Sequence, residues 1–302
     1  MRRTTTRLPA LALALTLLAA GCGGGDDGDG DTDGETTETS ADSASPETPT
    51  ETETESEEEG EDADAALEAA TDATLASERF GIEYAASLQF GEQTLDLTAE
   101  GSVDYGATVA DVRLGVEQQG QTQSVEILAD GETAWVSSQG ATAPPVPGGA
   151  TYVSGPAATL AEASTFTPEG ILGVVLVLRS GDAAEVGDTE EVDGVEATTY
   201  SFTVPYEDAV AAAGPDAQAF QTALSLTGAA AQADLVVEVA VGSDDVVRTL
   251  DLTIEGGDVP VGGSYDLTLS EVGAEVEPPA APAEDDVATG PEAEAIFEQL
   301  LM

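Results

Sequence analysis

The sequence predicts an α+β domain in which an antiparallel sheet with one apolar face is covered by a few helices. Two observations carry this. From Phe80 onward the chain repeats runs of strict alternation, each separated from the next by turn residues and each with its apolar side chains on one face. Between two groups of such runs lies Ile171-Leu172-Gly173-Val174-Val175-Leu176-Val177-Leu178, apolar on every side and only eight residues long. A segment of that kind is too short to span a bilayer and needs apolar neighbours all round, and a sheet with one bare apolar face is where they would come from.

The elements follow in order. Met1-Arg2-Arg3, an apolar stretch from Leu8 to Ala20 and then Gly21-Cys22 form a basic n-region, a short h-region and small residues before a cysteine, the pattern of a cleaved export signal over residues 1–21. Cys22 is the only cysteine in 302 residues and is flanked by Gly21, Gly23, Gly24 and Gly25, so it has no core around it; it is expected to become the lipidated N-terminus. From Gly23 to Asp64 there are eighteen acids and no base in a background of Gly, Ser, Thr and Pro. With almost no apolar surface and with like charges that repel, residues 22–64 read as a disordered acidic tether of roughly 35 Å or more. Within it Asp29-Gly30-Asp31-Thr32-Asp33-Gly34 begins like a calcium loop, but the twelfth position is Ser40, where a bidentate Glu is needed, so diffuse counterion association is expected instead.

Residues 65–302 read as one domain, long enough to bury a sizeable core without disulfides. Ala65 to Ser77 has the Ala, Leu and Glu content of a helix. Phe80, Ile82, Tyr84, Ala86, Leu88 and Phe90 then share one face of a strand; Leu95, Leu97, Ala99, Gly101, Val103 and Tyr105 share one face of the next. Strands around Ala110 to Val116 (with Leu114), Val125 to Ile127 and Thr133 to Ser137 continue the meander, the last entered through an Asp130-Gly131 turn. Thr167-Pro168-Glu169 and Gly181 bracket the apolar segment with the start and stop signals of a helix. Helices at Tyr206 to Ala213 and Pro215 to Thr227, the second placing Phe220 and Leu224 on one face, precede strands at Leu235 to Val241, Val246 to Ile254 and Tyr265 to Leu269, and Glu292 to Leu301 reads as a last short helix.

Composition excludes most familiar chemistry. There is no His and no Lys, and the one Cys belongs to the anchor, so Ser-His-Asp and Cys-His relays, Schiff-base lysines and HExxH zinc sites lack their reacting groups. Carboxylate pairs abound, and for that reason no single pair stands out from solvated surface acid. No enzyme activity, metal or cofactor is expected. The domain carries forty-two acids against Arg79, Arg113, Arg179 and Arg248, a surface that argues against nucleic acid and against docking on anionic head groups, and that suits a saline habitat.

Three segments carry a resemblance to a known family. Glu191-Val192-Asp193-Gly194-Val195-Glu196-Ala197-Thr198-Thr199-Tyr200, Asp130-Gly131-Glu132-Thr133-Ala134-Trp135-Val136 and Asp244-Asp245-Val246-Val247-Arg248-Thr249-Leu250 resemble the strand and turn patterns of the LolA-like lipoproteins of actinobacteria, the LppX, LprA, LprF and LprG group. The resemblance covers most of Ala65 to Val287 and implies an antiparallel half-open β-barrel wrapped around a few helices. It further implies an apolar cavity that holds acyl chains of lipids or glycolipids in transit through the envelope, with the Ile171 to Leu178 helix on its cavity side. The walls are then expected at Phe80, Ile82, Tyr84, Leu88, Leu97, Leu114, Ile171, Leu172, Val175, Leu178, Phe220 and Leu224, while the Gly/Pro/Ala-rich stretch Gln139 to Pro156 departs from the family pattern. Alternation itself does not distinguish a solid core from a cavity, and Trp135 and Tyr200 read as packing residues.

Two functions follow as expectations. One is a lipid carrier anchored at the outer face of the cell membrane, with a lipid or glycolipid ligand and an envelope transporter as partners; the other is a non-catalytic sensor or scaffold that binds another envelope protein. Both need the anchor. Cys22→Ser is expected to leave the domain folded and to move it from the membrane to the soluble fraction on cell fractionation; retention in the membrane fraction would show that something other than Cys22 holds it there.

Overall fold

The computed structural model describes residues 54–91, 93–140, 143–161, 167, 172–181, 184–224, 233–256 and 261–301. Cys22 and most of the acidic segment lie outside them, as do the Asp29 loop, Ile171 and the Pro168-Glu169 helix start. No helix among the described residues is long and apolar enough to cross a membrane.

Helix α1 (Thr54–Leu75) opens the described chain. It begins earlier than the predicted Ala65 and takes in the end of the segment read as tether; Ala63, inside that segment, is already 1% exposed in the core. Six strands follow: β1 (Arg79–Phe90), β2 (Gln93–Asp104), β3 (Val109–Gln118), β4 (Gln121–Asp130), β5 (Thr133–Gln139) and β6 (Tyr152–Pro156). After α2 (Ala157–Ala161) comes a 3₁₀ segment, Gly173–Ser180, then β7 (Glu185–Val192), β8 (Val195–Pro205), α3 (Tyr206–Ala212) and α4 (Ala217–Ala223). Strands β9 (Asp234–Gly242), β10 (Val247–Glu255) and β11 (Val261–Ser270), the two-residue β12 (Val287–Ala288) and helix α5 (Pro291–Leu301) complete it.

All twelve strands form one sheet in the order β12-β6-β5-β4-β3-β2-β1-β11-β10-β9-β8-β7. It consists of two antiparallel meanders spliced along β1 and β11, which pair from Gly81 with Ser270 to Phe90 with Val261. Among the described residues the one parallel pairing is β12 beside β6. The fold is therefore α+β with a large antiparallel sheet, and the sheet is open: β12 ends one side and β7 the other.

The apolar segment sits inside this sheet, but as a 3₁₀ helix rather than the predicted α-helix. Val174, Val175 and Val177 are β-branched and gain little from α geometry, and Gly173 to Leu178 are all buried, so packing rather than helix propensity decides the conformation. Helix α1 lies on it with Leu67 and Ala70 buried, and α3 and α4 pack on its other sides. Gly181, expected as the stop, caps the segment at φ −85°, its amide donating to the Leu178 carbonyl. A Cβ there would lie 2.4 Å from Leu67 Cδ1 of α1, so a larger residue would have to displace the end of that side chain.

Polar ties fix the arrangement. Arg179, at the end of the 3₁₀ segment, reaches Asp216 ahead of α4 at 2.9 Å and Asp72 of α1 at 3.2 Å, joining three elements through one guanidinium. Buried Thr74 of α1 accepts a hydrogen bond from the Val247 amide at 3.0 Å, where the register of β10 shifts against β9 and the ladder would leave that donor unpaired. The buried Tyr265 hydroxyl of β11 donates to the Leu224 carbonyl at the end of α4. The first ties the helical cover together, and the other two bind it to the second meander.

Candidate functional site

Register assigns every residue of β1 to β4 to one of two faces. Phe80, Ile82, Tyr84, Ala86 and Leu88 of β1 stand over Val103, Gly101, Ala99, Leu97 and Leu95 of β2. These continue into Ala110, Val112, Leu114, Val116 and Gln118 of β3, and from there into Ala129, Ile127, Val125, Gln123 and Gln121 of β4. This inner face, with Gln93 at the start of β2, bears no charged residue. All the charges of the four strands, among them Glu83, Asp96, Glu100, Asp111, Arg113, Glu117 and Glu126, alternate onto the outer face.

Along the strands the inner face is covered unevenly. At one end Phe80, Val103, Ala110 and Ala129 are wholly buried. In the middle Tyr84, Leu97, Leu114 and Val116 are half-buried, packed against the core on one side. Toward the far end buried Leu88 and Leu95 share a row with Gln118 and Gln121, Gln93 lies one row beyond, and Gln123 stands opposite Val116. The helices gather at two other places, α1, α3 and α4 on the 3₁₀ segment and the second meander, α2 and α5 on β5 and β6. The half-buried wall lies between these two covers.

The predicted cavity residues therefore divide. Tyr84, Leu97 and Leu114 form the half-buried wall. Phe80, Ile82, Leu88, Leu172, Val175, Leu178, Phe220 and Leu224 are packed in the core cluster, and Ile171 lies outside the described residues. Val116 and the glutamines were not among the predicted site residues. Tyr84 faces Tyr265 with ring centroids 6.3 Å apart, and burial pushes both phenols well above their ordinary range, so both stay neutral. Trp135, on the outer side of β5, is buried there as a packing residue.

The outer face is of the opposite kind. A groove of about 520 Å³ runs over it, with Glu83, Glu100, Arg113, Asp266 and Thr268 among its walls. Arg113 is held by Glu126 at 2.9 Å and Glu100 at 3.7 Å. Further along, Glu238, Asp251 and Asp266 stand directly opposite one another on β9, β10 and β11. Among the described residues no group of three such side chains is arranged to hold a metal ion.

The chain is similar to several solved structures. The crystal structure of LprF from Mycobacterium bovis matches with 15% identity and a TM-score of 0.38 over 73% of this chain and 97% of that one. The crystal structure of the Mycobacterium tuberculosis lipoprotein LppX matches with 15% identity and a TM-score of 0.38 over 72% and 99%. A crystal structure of MucB matches with 12% identity and a TM-score of 0.25 over 76% and 63%. No family model matches the chain, and no curated protein does.

The acidic ladder gives a pH dependence with a definite sign. Burial, then a hydrogen bond with Asp266, then the charges of Asp266 and Glu238 push the Asp251 carboxyl up to about 6. An acid whose folded value lies above its unfolded value of about 4 takes up its proton more readily in the fold, so it stabilises below about pH 4, and that stability is lost as the pH rises through about 6. Asp251→Asn is expected to raise the melting temperature at pH 7 and to leave it nearly unchanged at pH 4, read by thermal unfolding at both values.

Proposed function

We propose that this chain is a membrane-anchored lipoprotein whose half-open, barrel-like sheet holds acyl chains of a lipid or glycolipid against the inner face of β1 to β4 and carries them through the cell envelope. The observation that carries this reading is the inner face of β1 to β4: an uncharged apolar wall at Tyr84, Leu97, Leu114 and Val116 that stays half-exposed beside the core. Such a face matches an amphipathic ligand. Apolar surface removed from water stabilises by about 25 cal/mol per Å², so an acyl chain laid along the wall gains affinity without any charged contact.

The remaining features fit the same task. Cys22, as the lipidated residue, and the acidic segment after it would hold the domain at the outer face of the membrane while letting it reach a donor and an acceptor, a transporter among them. The chain lacks the nucleophile and base pairs of common hydrolases, and the task needs none, because transfer requires only binding and release.

The test is chemical. Full-length protein purified from membranes in mild detergent is expected to release about one non-covalent lipid per chain on organic extraction, counted by mass spectrometry. Leu114→Trp, which fills the half-covered wall, is expected to lower that yield several-fold with little loss of stability, since space rather than packed core takes the added volume. Lipid-free wild-type protein would exclude the carrier reading and leave the envelope-protein-binding module in its place.

A further inference from the structure

We propose that the Tyr84 hydroxyl donates a hydrogen bond to the ester carbonyl of a bound lipid, so that the protein takes acyl esters in preference to ether-linked chains. This rests on the carrier reading and adds to it which linkage between head and tail is recognised.

The half-buried wall consists of Tyr84, Leu97, Leu114 and Val116, with Ala99 between Tyr84 and Leu114 in one cross-strand row. Of these residues Tyr84 alone carries a polar side-chain atom. Among the described residues its hydroxyl has no hydrogen-bond partner, and burial alone pushes the phenol above its ordinary range. The neighbouring Tyr265, whose ring centroid lies 6.3 Å away, shows what a buried phenol ordinarily finds: its hydroxyl donates to the Leu224 carbonyl. Were apolar surface all that the wall had to offer, phenylalanine would supply the same ring without the cost of a half-buried hydroxyl that bonds to nothing.

The chemistry of the missing acceptor follows from the wall. A free carboxylate, as on a fatty acid, would enter a face on which β1 to β4 place no cation, since Arg79 and Arg113 alternate onto the outer side and are engaged there by Asp104 at 2.8 Å and Glu126 at 2.9 Å. An ester carbonyl is an uncharged acceptor, and it sits where the acyl chain joins the head. A lipid with its tails along Leu97, Leu114 and Val116 therefore brings that carbonyl to the same wall as the unpaired donor. An ether oxygen at that junction is a weaker acceptor and offers the phenol less.

The experiment is a competition on the full chain. Protein in detergent micelles is given equal amounts of dioleoylphosphatidylcholine and its diether analogue, which share headgroup and chain length, then repurified, and the bound lipids are quantified by mass spectrometry. The diester is expected in about five-fold excess, the ratio that corresponds to about 1 kcal/mol for one hydrogen bond. Tyr84→Phe is expected to bring the ratio below about two-fold. Total lipid per chain and the melting temperature are expected to stay as in the wild type, because the ring and its contact with Tyr265 remain. Equal loading of the two lipids by the wild type, or a diester preference that Tyr84→Phe leaves in place, would overturn the inference and leave the carrier reading standing. A marked fall in the melting temperature of Tyr84→Phe would overturn it too, since the hydroxyl would then have its partner within the protein. Binding of neither lipid would remove the carrier reading, and this inference with it.

Discussion

The segment Gly173–Ser180 is apolar on every side, and the rest of the fold is arranged to enclose it. Its residues Gly173 to Leu178 have no polar face to turn to solvent, so neighbours are needed all round. Helices α1, α3 and α4 lie against it, and its side chains share one core cluster with those of the sheet. From this follows the position of Arg179, which closes the segment where apolar sequence ends by tying α1 and the start of α4 to it. The splice of β1 to β11 follows as well: a core at the centre of the sheet requires the two meanders to share one continuous inner face.

That enclosure is lopsided, and the candidate site is its consequence. The helices commit to the second meander and to β5–β6, so the inner face of β1 to β4 is covered from its two flanks rather than head-on. Alternation has already sorted the charges of those strands to the outer face, where they form ion pairs around Arg113 and a carboxylate-rich groove. What remains inside is a surface without charge. Its half-buried residues are therefore free of the desolvation costs that would oppose an apolar ligand.

Much of this was legible in the sequence. The strands from Phe80 to Ile127 and from Leu235 to Leu269 announce themselves by period-two alternation, and α3, α4 and α5 by helical spacing with breaks at Gly214-Pro215 and before Pro291. The short strands β6 and β12 were missed because five and two residues are too few to show a period, and β6 follows a Gly/Pro-rich stretch. The start of α1 is hidden in the sequence because a run of acids reads as self-repelling, whereas acids near a helix N-terminus are favoured by its dipole. The α-helix expected at Ile171 to Leu178 is a 3₁₀ segment because tertiary packing overrides weak local preference. The glutamines escaped notice for a further reason: Gln93 and Gln118 are far apart in sequence, and only register places them on one rim.

The central claim, that the sheet is built around Gly173–Ser180, is tested most directly by native-state hydrogen exchange of the full chain. The account predicts that the amides of residues 173–178 exchange as slowly as those in the middle of β1 and β11, opening only with global unfolding. Exchange of that segment within seconds, while β1 and β11 stay protected, would contradict it and show that the sheet holds together without its core segment.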